Sequence, residues 1–310
     1  MISQTYRVSV SLVGLTLLWG VLLGLPGGGD GLTTWTKDKH YWRWRGTGPF
    51  HGQHIRICAF NVKSFGRSKM RKPEVAKILK QIVLEYDIIL IQEVRDSRGK
   101  ALRKLHKMIN KITPYELVKS KRVGKSSYRE QYALFYRPDK LAVLKTYQYR
   151  DTNNEFERDP FSVLFQPNNT DPEAAFAVIG IHTKPSNAVS EIKHLYNVYE
   201  DLVKRWNTSN VMIIGDMNAD CSFASIAQLR TLPIYMTGHF RWLINNEADT
   251  TTSPNTNCAY DRLLYTGRRL EYAILPWTAG RFNFDKSYGL TNKQTNAVSD
   301  HFPVHVDLMF

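Results

Sequence analysis

Asn61, the pair Gln92-Glu93, His182, the run Gly215-Asp216-Met217-Asn218 and the string Ser299-Asp300-His301 each stand where an apolar run stops or resumes. Two histidines, several carboxylates and two asparagines are the parts of a site that splits phosphate esters with a divalent metal. A hard cation takes oxygen ligands. A phosphodiester needs an activated water, a protonated leaving group and stabilised equatorial oxygens. Each group is ordinary alone; their shared position at the ends of predicted strands carries the reading.

Those strands alternate with helices. Ile55 to Asn61 reads as a buried strand. A helix is expected from about Pro73 to Glu85, with Val75, Ile78, Leu79, Ile82 and Val83 on one face. Ile88 to Ile91 forms a strand ending at Glu93, and Ala175 to His182 another. Ser190 is placed to cap a helix whose Ile192, Leu195, Tyr199, Leu202 and Trp206 share a face. Val211 to Ile214 and the alternating Val304, Val306 and Leu308 complete the strands that lead to or from candidate site residues. Residues 115–165 add further strands, being rich in Tyr, Val, Leu and Phe without helical period. Polar groups gathered at strand ends are where open α/β sheets bind ligands. Other histidines lack such a setting. His106 and His194 sit among charged helical neighbours and read as solvated, and His305 alternates with Val304 and Val306 and so faces outward.

Hydrophobic residues make up 43% of the 310, ample for a buried core. The net charge of +14 favours a polyanionic partner, because phosphates release counterions to a basic surface. Charge alone is equally compatible with a basic surface that has no fixed partner. Val8 to Leu25 is almost wholly apolar, follows Arg7 and precedes Pro26-Gly27-Gly28-Gly29, so residues 1–29 read as a secretory signal. A stretch of roughly 18 residues also suits a signal anchor, and either places the body in an oxidising compartment. Residues 30–54, with Lys37-Asp38-Lys39-His40-Tyr41-Trp42-Arg43-Trp44-Arg45, show no period and read as a basic, aromatic extension ahead of a domain over 55–310. Of the three cysteines, Cys221 and Cys258 are expected to pair, and Cys58 lies in an apolar run as a buried thiol. Asn168 and Asn207 head glycosylation sequons.

The strings themselves are similar to a known family. Phe60-Asn61-Val62, Ile91-Gln92-Glu93-Val94-Arg95-Asp96-Ser97, Ser127-Tyr128-Arg129-Glu130, Ile181-His182-Thr183-Lys184-Pro185-Ser186, Gly215-Asp216-Met217-Asn218-Ala219-Asp220-Cys221, Asn257-Cys258-Ala259-Tyr260-Asp261-Arg262 and Ser299-Asp300-His301-Phe302-Pro303-Val304 resemble the deoxyribonuclease I family, in order, over most of the chain. The resemblance implies an α/β four-layer sandwich, two mixed β-sheets packed face to face with helices outside. It implies a secreted, monomeric endonuclease that cuts double-stranded DNA with little sequence preference and leaves 5′-phosphate ends. Alternatives on the same fold are a phosphoesterase for phospholipid or inositol phosphate, or a DNA binder without catalysis.

By that resemblance Glu93 is the principal carboxylate for catalytic Mg²⁺ or Mn²⁺, with Asn61 and Asp300 beside it and Asp216 at the same phosphate. His182 pairs with Glu130 and His301 with Asp261, one histidine acting as base and the other as acid; Asn218 offsets transition-state charge. Arg95 and Tyr128 enter the minor groove, and Arg158, Lys63 and Thr256 contact DNA. Asp151 and Asp249 are weak candidates for structural or activating Ca²⁺. The chain departs from the pancreatic type in having no cysteine around Arg150–Asn154 and in carrying Lys63 for arginine and Phe223 for tyrosine. Leu117-Val118-Lys119-Ser120-Lys121-Arg122 puts charge where that type meets actin, so actin binding is expected to be weak or absent.

Overall fold

Hydrophobic alternation along the central strands decides the architecture. In a computed structural model, which describes residues 33–38, 41–46 and 52–310 apart from Ser127, the strands are β1 (Thr33–Asp38), β2 (Tyr41–Gly46), β3 (His54–Phe65), β4 (Ile88–Val94), β5 (Glu116–Lys119), β6 (Gln131–Tyr136) and β7 (Leu141–Gln148). They continue with β8 (Phe161–Pro167), β9 (Phe176–Gly180), β10 (Val211–Asp216), β11 (Arg241–Trp242), β12 (Asp261–Thr266), β13 (Ile274–Arg281) and β14 (Val304–Met309). Ile55, Ile57 and Ala59 of β3 face the same core as Met212 and Ile214 of β10, while Cys58, Phe60 and Val62 face a second core on the other side. Period-two side-chain placement makes both faces of one strand apolar, so each sheet needs a cover on both sides.

Two six-stranded mixed sheets result, ordered β13-β14-β3-β4-β6-β5 and β11-β12-β10-β9-β8-β7. Their inner faces share the central core. The helices Pro73–Leu84 and Lys100–Ile109 cover the first sheet, and Ala188–Trp206 covers the second. Each sheet has one parallel pair, β3 with β4 and β9 with β10, joined through a covering helix. This is the four-layer α/β sandwich that the resemblance implied.

Several boundaries differ from the sequence reading. The helix expected to start at Ser190 begins at Ala188, with Asn187 at its cap position and no side-chain cap bond. Residues 30–54 are not featureless, because Thr33–Asp38 pairs antiparallel with Tyr41–Gly46 in a hairpin that belongs to a separate unit from residues 52–310. The apolar segment expected as a signal lies outside the described residues. Among the described residues no helix is long and apolar enough to cross a membrane. Cys221 and Cys258 form the expected disulfide, and Cys58 is a buried thiol. The outer histidines are less wet than expected: His106 Nε2 meets the Tyr115 carbonyl at 2.7 Å and His194 packs edge-on against Phe156. His305 does point away from the central core, but burial beside the Tyr86 ring pulls its pKa down to about 4.

Candidate active site

Strands from both sheets deliver polar residues to one end of the sandwich. β3 ends past Asn61, β4 carries Gln92 and Glu93, β10 ends at Asp216, and β12 begins at Asp261. His182 lies just beyond β9, Glu130 just ahead of β6, and His301 just ahead of β14. Gln92 is fully buried and stitches the sheets, donating to the Ile181 carbonyl at 2.6 Å and accepting from Asp216 N–H at 3.1 Å. Gly215 makes that approach possible. Its φ is +137°, and a Cβ there would stand 2.1 Å from the Ile181 carbonyl oxygen, so no larger residue fits.

The β4–β6 register slips between Ile91 and Val94, and Glu93 has φ +56°. Such an irregularity re-aims a side chain, and a non-glycine residue held there marks local strain. Glu93 Oε2 accepts from Ser64 N–H at 2.8 Å and lies 2.9 Å from Arg95 Nη2.

Asp216 is the hub. Its Oδ2 accepts from Asn61 Nδ2 at 2.9 Å, and its Oδ1 accepts from Asn218 N–H at 3.0 Å. The same Oδ2 lies 3.6 Å from His182 Nε2 and 3.7 Å from His301 Nε2. Behind the rings, His182 Nδ1 meets Glu130 Oε1 at 2.7 Å and His301 Nδ1 meets Asp261 Oδ2 at 2.7 Å. A carboxylate at Nδ1 fixes the ring and leaves Nε2 to face the reaction.

Electrostatics follow from these contacts. Burial pulls His182 down, but Glu130 and Asp216 outweigh it and raise the imidazole above its ordinary value. Burial also opposes His301, yet Asp261, Asp216 and Asp300 push it up to about 10. Burial pushes Glu130 up, and His182, Arg158 and Arg95 more than offset that, leaving its carboxyl below the ordinary range. Asp261 goes the other way: burial raises it, and His301 offsets this only in part. Asp300 is pushed up by burial but held below its ordinary value by His301 and Lys63, whose Nζ is 2.6 Å from Asp300 Oδ2.

The remaining expected residues divide. Tyr128 is 67% exposed, and the Arg95 guanidinium lies 5.5 Å from its ring centroid while its Nη2 pairs with Glu93, so the phenol ring projects outward and the guanidinium lies beneath it at the cleft. Arg158, expected at a DNA phosphate, is turned inward instead: its Nε is 3.0 Å from Glu130 Oε2 and its Nη1 donates to the His182 carbonyl at 3.3 Å. Asn218 donates its side-chain amide to the Thr183 carbonyl at 3.1 Å. Thr256 is exposed and shares a 2.6 Å contact with Thr251 Oγ1. Asp151 accepts from the N–H groups of Glu155 and Phe156, each at 2.8 Å. Asp249 accepts from Thr251 N–H and Oγ1, and its Oδ2 lies 3.2 Å from Arg281 Nη1.

Two neighbours carry no sequence signal. Lys69 donates to the Val298 carbonyl at 2.5 Å, and burial pulls its pKa down to about 8. Glu191, fully buried, accepts from Glu157 and Lys184 N–H, and burial pushes it up to about 7. Both sit on helices, where only their apolar neighbours show a pattern.

The oxygen-rich donor set suits a hard divalent cation. Asn61 Oδ1 is buried and has no hydrogen-bond partner, an orphan that a cation would satisfy. Glu93 and Asp300 are the carboxylates that would join it. Asp216, Asp261 and His301 also bring ligand atoms within 4.8 Å of one another, but the Asp261–His301 bond already uses two of them.

Paired imidazoles facing one carboxylate beside a cation-ready oxygen set define a phosphoester-hydrolase site. The model of the Endonuclease/Exonuclease/phosphatase family matches residues 58–301. Deoxyribonuclease-1 of Bos taurus is 42% identical over 264 residues, covering 83% of this chain and 93% of its own length. Deoxyribonuclease-1 of Homo sapiens is 40% identical over 261 residues, covering 82% and 92%. Humanized D. rerio TDP2 shares the fold with a TM-score of 0.59 at 14% identity, over 83% of this chain and 99% of that one. The chain belongs to the endonuclease/exonuclease/phosphatase family, within its deoxyribonuclease I branch.

Proposed function

We propose that the protein is a divalent-metal-dependent endonuclease that hydrolyses double-stranded DNA with little sequence preference and leaves 5′-phosphate ends. Its family membership makes it a hydrolytic nuclease. The observation that carries the reading is the pair of imidazole Nε2 atoms at 3.6 and 3.7 Å from a shared Asp216 oxygen, each backed by a buried carboxylate.

A phosphate entering between the rings meets two positioned proton carriers. One imidazole takes the proton of the attacking water while the other gives a proton to the departing 3′ oxygen. Glu130 and Asp261 hold the rings and stabilise whichever is protonated. Asn218 and Asp216 are fixed by the hydrogen bonds described above, so the polar frame needs little rearrangement as charge builds up. Glu93, Asn61 and Asp300 would hold Mg²⁺ or Mn²⁺, which would neutralise charge on the phosphate oxygens.

Arg95 and Tyr128 favour DNA over lipid or inositol substrates. An exposed phenol ring with a guanidinium against it at the cleft edge suits a sugar face and the acceptor-rich minor groove. Such contacts read groove width more than base identity. The disulfide and the apolar N-terminal segment support secretion. By the family resemblance Ca²⁺ would go to the Asp151 loop, whose carboxylate oxygens accept from Glu155 and Phe156 N–H. Asn207 is exposed and suits a glycan, whereas Asn168 donates its side-chain amide to the Pro138 carbonyl at 3.0 Å. The protein acts as a monomer.

Supercoiled plasmid nicking tests the proposal. With Mg²⁺ and Ca²⁺ the protein nicks, EDTA stops it, and His182→Ala falls by roughly 10²–10⁴-fold. A folded protein that binds DNA but does not nick it would return the search to other phosphoesters.

A further inference from the structure

Beside the site lies an open cleft of about 680 Å³ lined by Arg95, Lys125, Ser126, Tyr128, Glu157, Arg158 and Lys184. Its two arginines are committed elsewhere: Arg95 to Glu93, and Arg158 to Glu130 and the His182 carbonyl. The exposed cations that remain are Lys125 and Lys184. Lys184 has a side chain 51% exposed, and its Nζ has only a long 3.6 Å approach to Glu157 Oε2. Lys125 donates its backbone N–H to Glu157 Oε1 at 3.0 Å and its Nζ to the Asn154 carbonyl at 3.1 Å.

Glu157 thus sits between the two lysines with its side chain 15% exposed. Its neighbour in the chain, Arg158, also borders the cleft but is held by Glu130 and the His182 carbonyl. Both walls of the cleft are pinned from behind by Glu191, which accepts from Glu157 N–H at 3.2 Å and Lys184 N–H at 3.3 Å. Lys184 is therefore mounted on backbone tied to the same frame as His182, two residues away, and Lys125 is joined to that frame through the Glu157 side chain.

We propose that Lys184, with Lys125 beside it, forms a subsite for a DNA backbone phosphate beyond the scissile bond, and that Glu157 weakens it by competing with that phosphate for the Lys184 ammonium. This rests on the DNA-cleaving reading and extends it. A phosphate arriving at the cleft replaces a carboxylate as the counter-charge and releases counterions from the duplex. Glu157 keeps its repulsion of the duplex throughout, so it lowers affinity and eases product release.

Binding of a short fluorescent duplex to the full-length protein, titrated over salt in EDTA so that nothing is cut, reads this out. Lys184→Ala is expected to weaken binding about fivefold and to reduce the salt slope by about one. Glu157→Gln retains an oxygen for Lys125 N–H and is expected to tighten binding about threefold. Lys77→Ala, an exposed lysine on the helix Pro73–Leu84, controls for net charge alone. The subsite is overturned if Lys184→Ala behaves like Lys77→Ala, or if Glu157→Gln weakens binding. Plasmid nicking separates the two levels. Wild-type nicking with an inert Lys184 rejects the subsite and keeps the nuclease, whereas a wild-type protein that neither binds nor nicks DNA rejects the reading beneath it.

Discussion

The two histidine–carboxylate pairs have the same 2.7 Å bond and opposite surroundings. Each bridges the sandwich: His182 follows a strand of the second sheet and meets Glu130 of the first, while His301 precedes a strand of the first and meets Asp261 of the second. Glu130 is flanked by the cationic Arg158 and Arg95, and its carboxyl lies below the ordinary range. Asp261 has Asp216 as its charged neighbour besides His301, and its carboxyl lies above it. Equal geometry in unequal electrostatics means that both rings are held alike, while the cost of holding them differs.

Neutralising each carboxylate should break activity equally. Glu130→Gln and Asp261→Asn are each expected to lower plasmid nicking by roughly 10²–10⁴-fold, since each frees a ring needed for proton transfer. A variant keeping more than about a tenth of the activity would remove its pair from the mechanism.

Stability should separate the pairs. Glu130→Gln leaves Arg158 buried without its counter-charge and is expected to cost about 3 kcal/mol. Asp261→Asn also leaves the His301 imidazolium without its partner, but it relieves the repulsion from Asp216, and is expected to cost less, about 2 kcal/mol. Urea midpoints give the ordering, and the reverse order would mean that Arg158 is not what distinguishes the pairs.

Two buried titrating groups outside the pairs, Glu191 and His305, have opposite senses. Glu191 has its carboxyl raised to about 7, so the folded state keeps a proton that the unfolded chain loses. Its contribution is intact below the unfolded value near 4.3 and is lost as pH climbs to about 7. His305, on the strand that follows His301, has its imidazole lowered to about 4, so the folded state refuses a proton that the unfolded chain takes up. Its contribution is intact above about 6.5 and is lost as pH falls to about 4. At full expression each amounts to roughly 3 kcal/mol. Relative to wild type, Glu191→Gln should therefore gain stability from pH 5 to 8, and His305→Gln should gain it from pH 7 to 4.5. Flat differences would deny either group its titration.

The smallest expected effect is at the surface. A modest excess of monomeric actin should leave nicking unchanged, because Lys119 is exposed on the edge strand β5 and Phe161 is buried. Measurable inhibition would show that the edge strand accepts such a contact.

Much of the site was legible in the sequence because its residues follow strand ends, and strands announce themselves by apolar alternation. Asn61 and Asp216 needed only that β3 and β10 exist, whereas Asp261 rests on the family resemblance, because the sequence reading places no strand over β12. The inward turn of Arg158 was not legible, because it depends on Glu130 arriving from another sheet and no local pattern encodes that meeting. Glu191 was hidden for a related reason: helical periodicity placed Ile192 and Leu195 in the core but said nothing of a carboxylate beside them. Ser190 looked like a cap by type, yet the turn over Pro185–Asn187 puts the cap at Asn187, three residues earlier.

Asp216 Oδ2 receives an amide from one sheet and faces an imidazole from each. Sliding one sheet across the other by even an ångström would therefore open both proton routes together. The centre works as a gauge of alignment between the two halves, and heat or urea that loosens their docking silences the enzyme while each half is still hydrogen-bonded within itself.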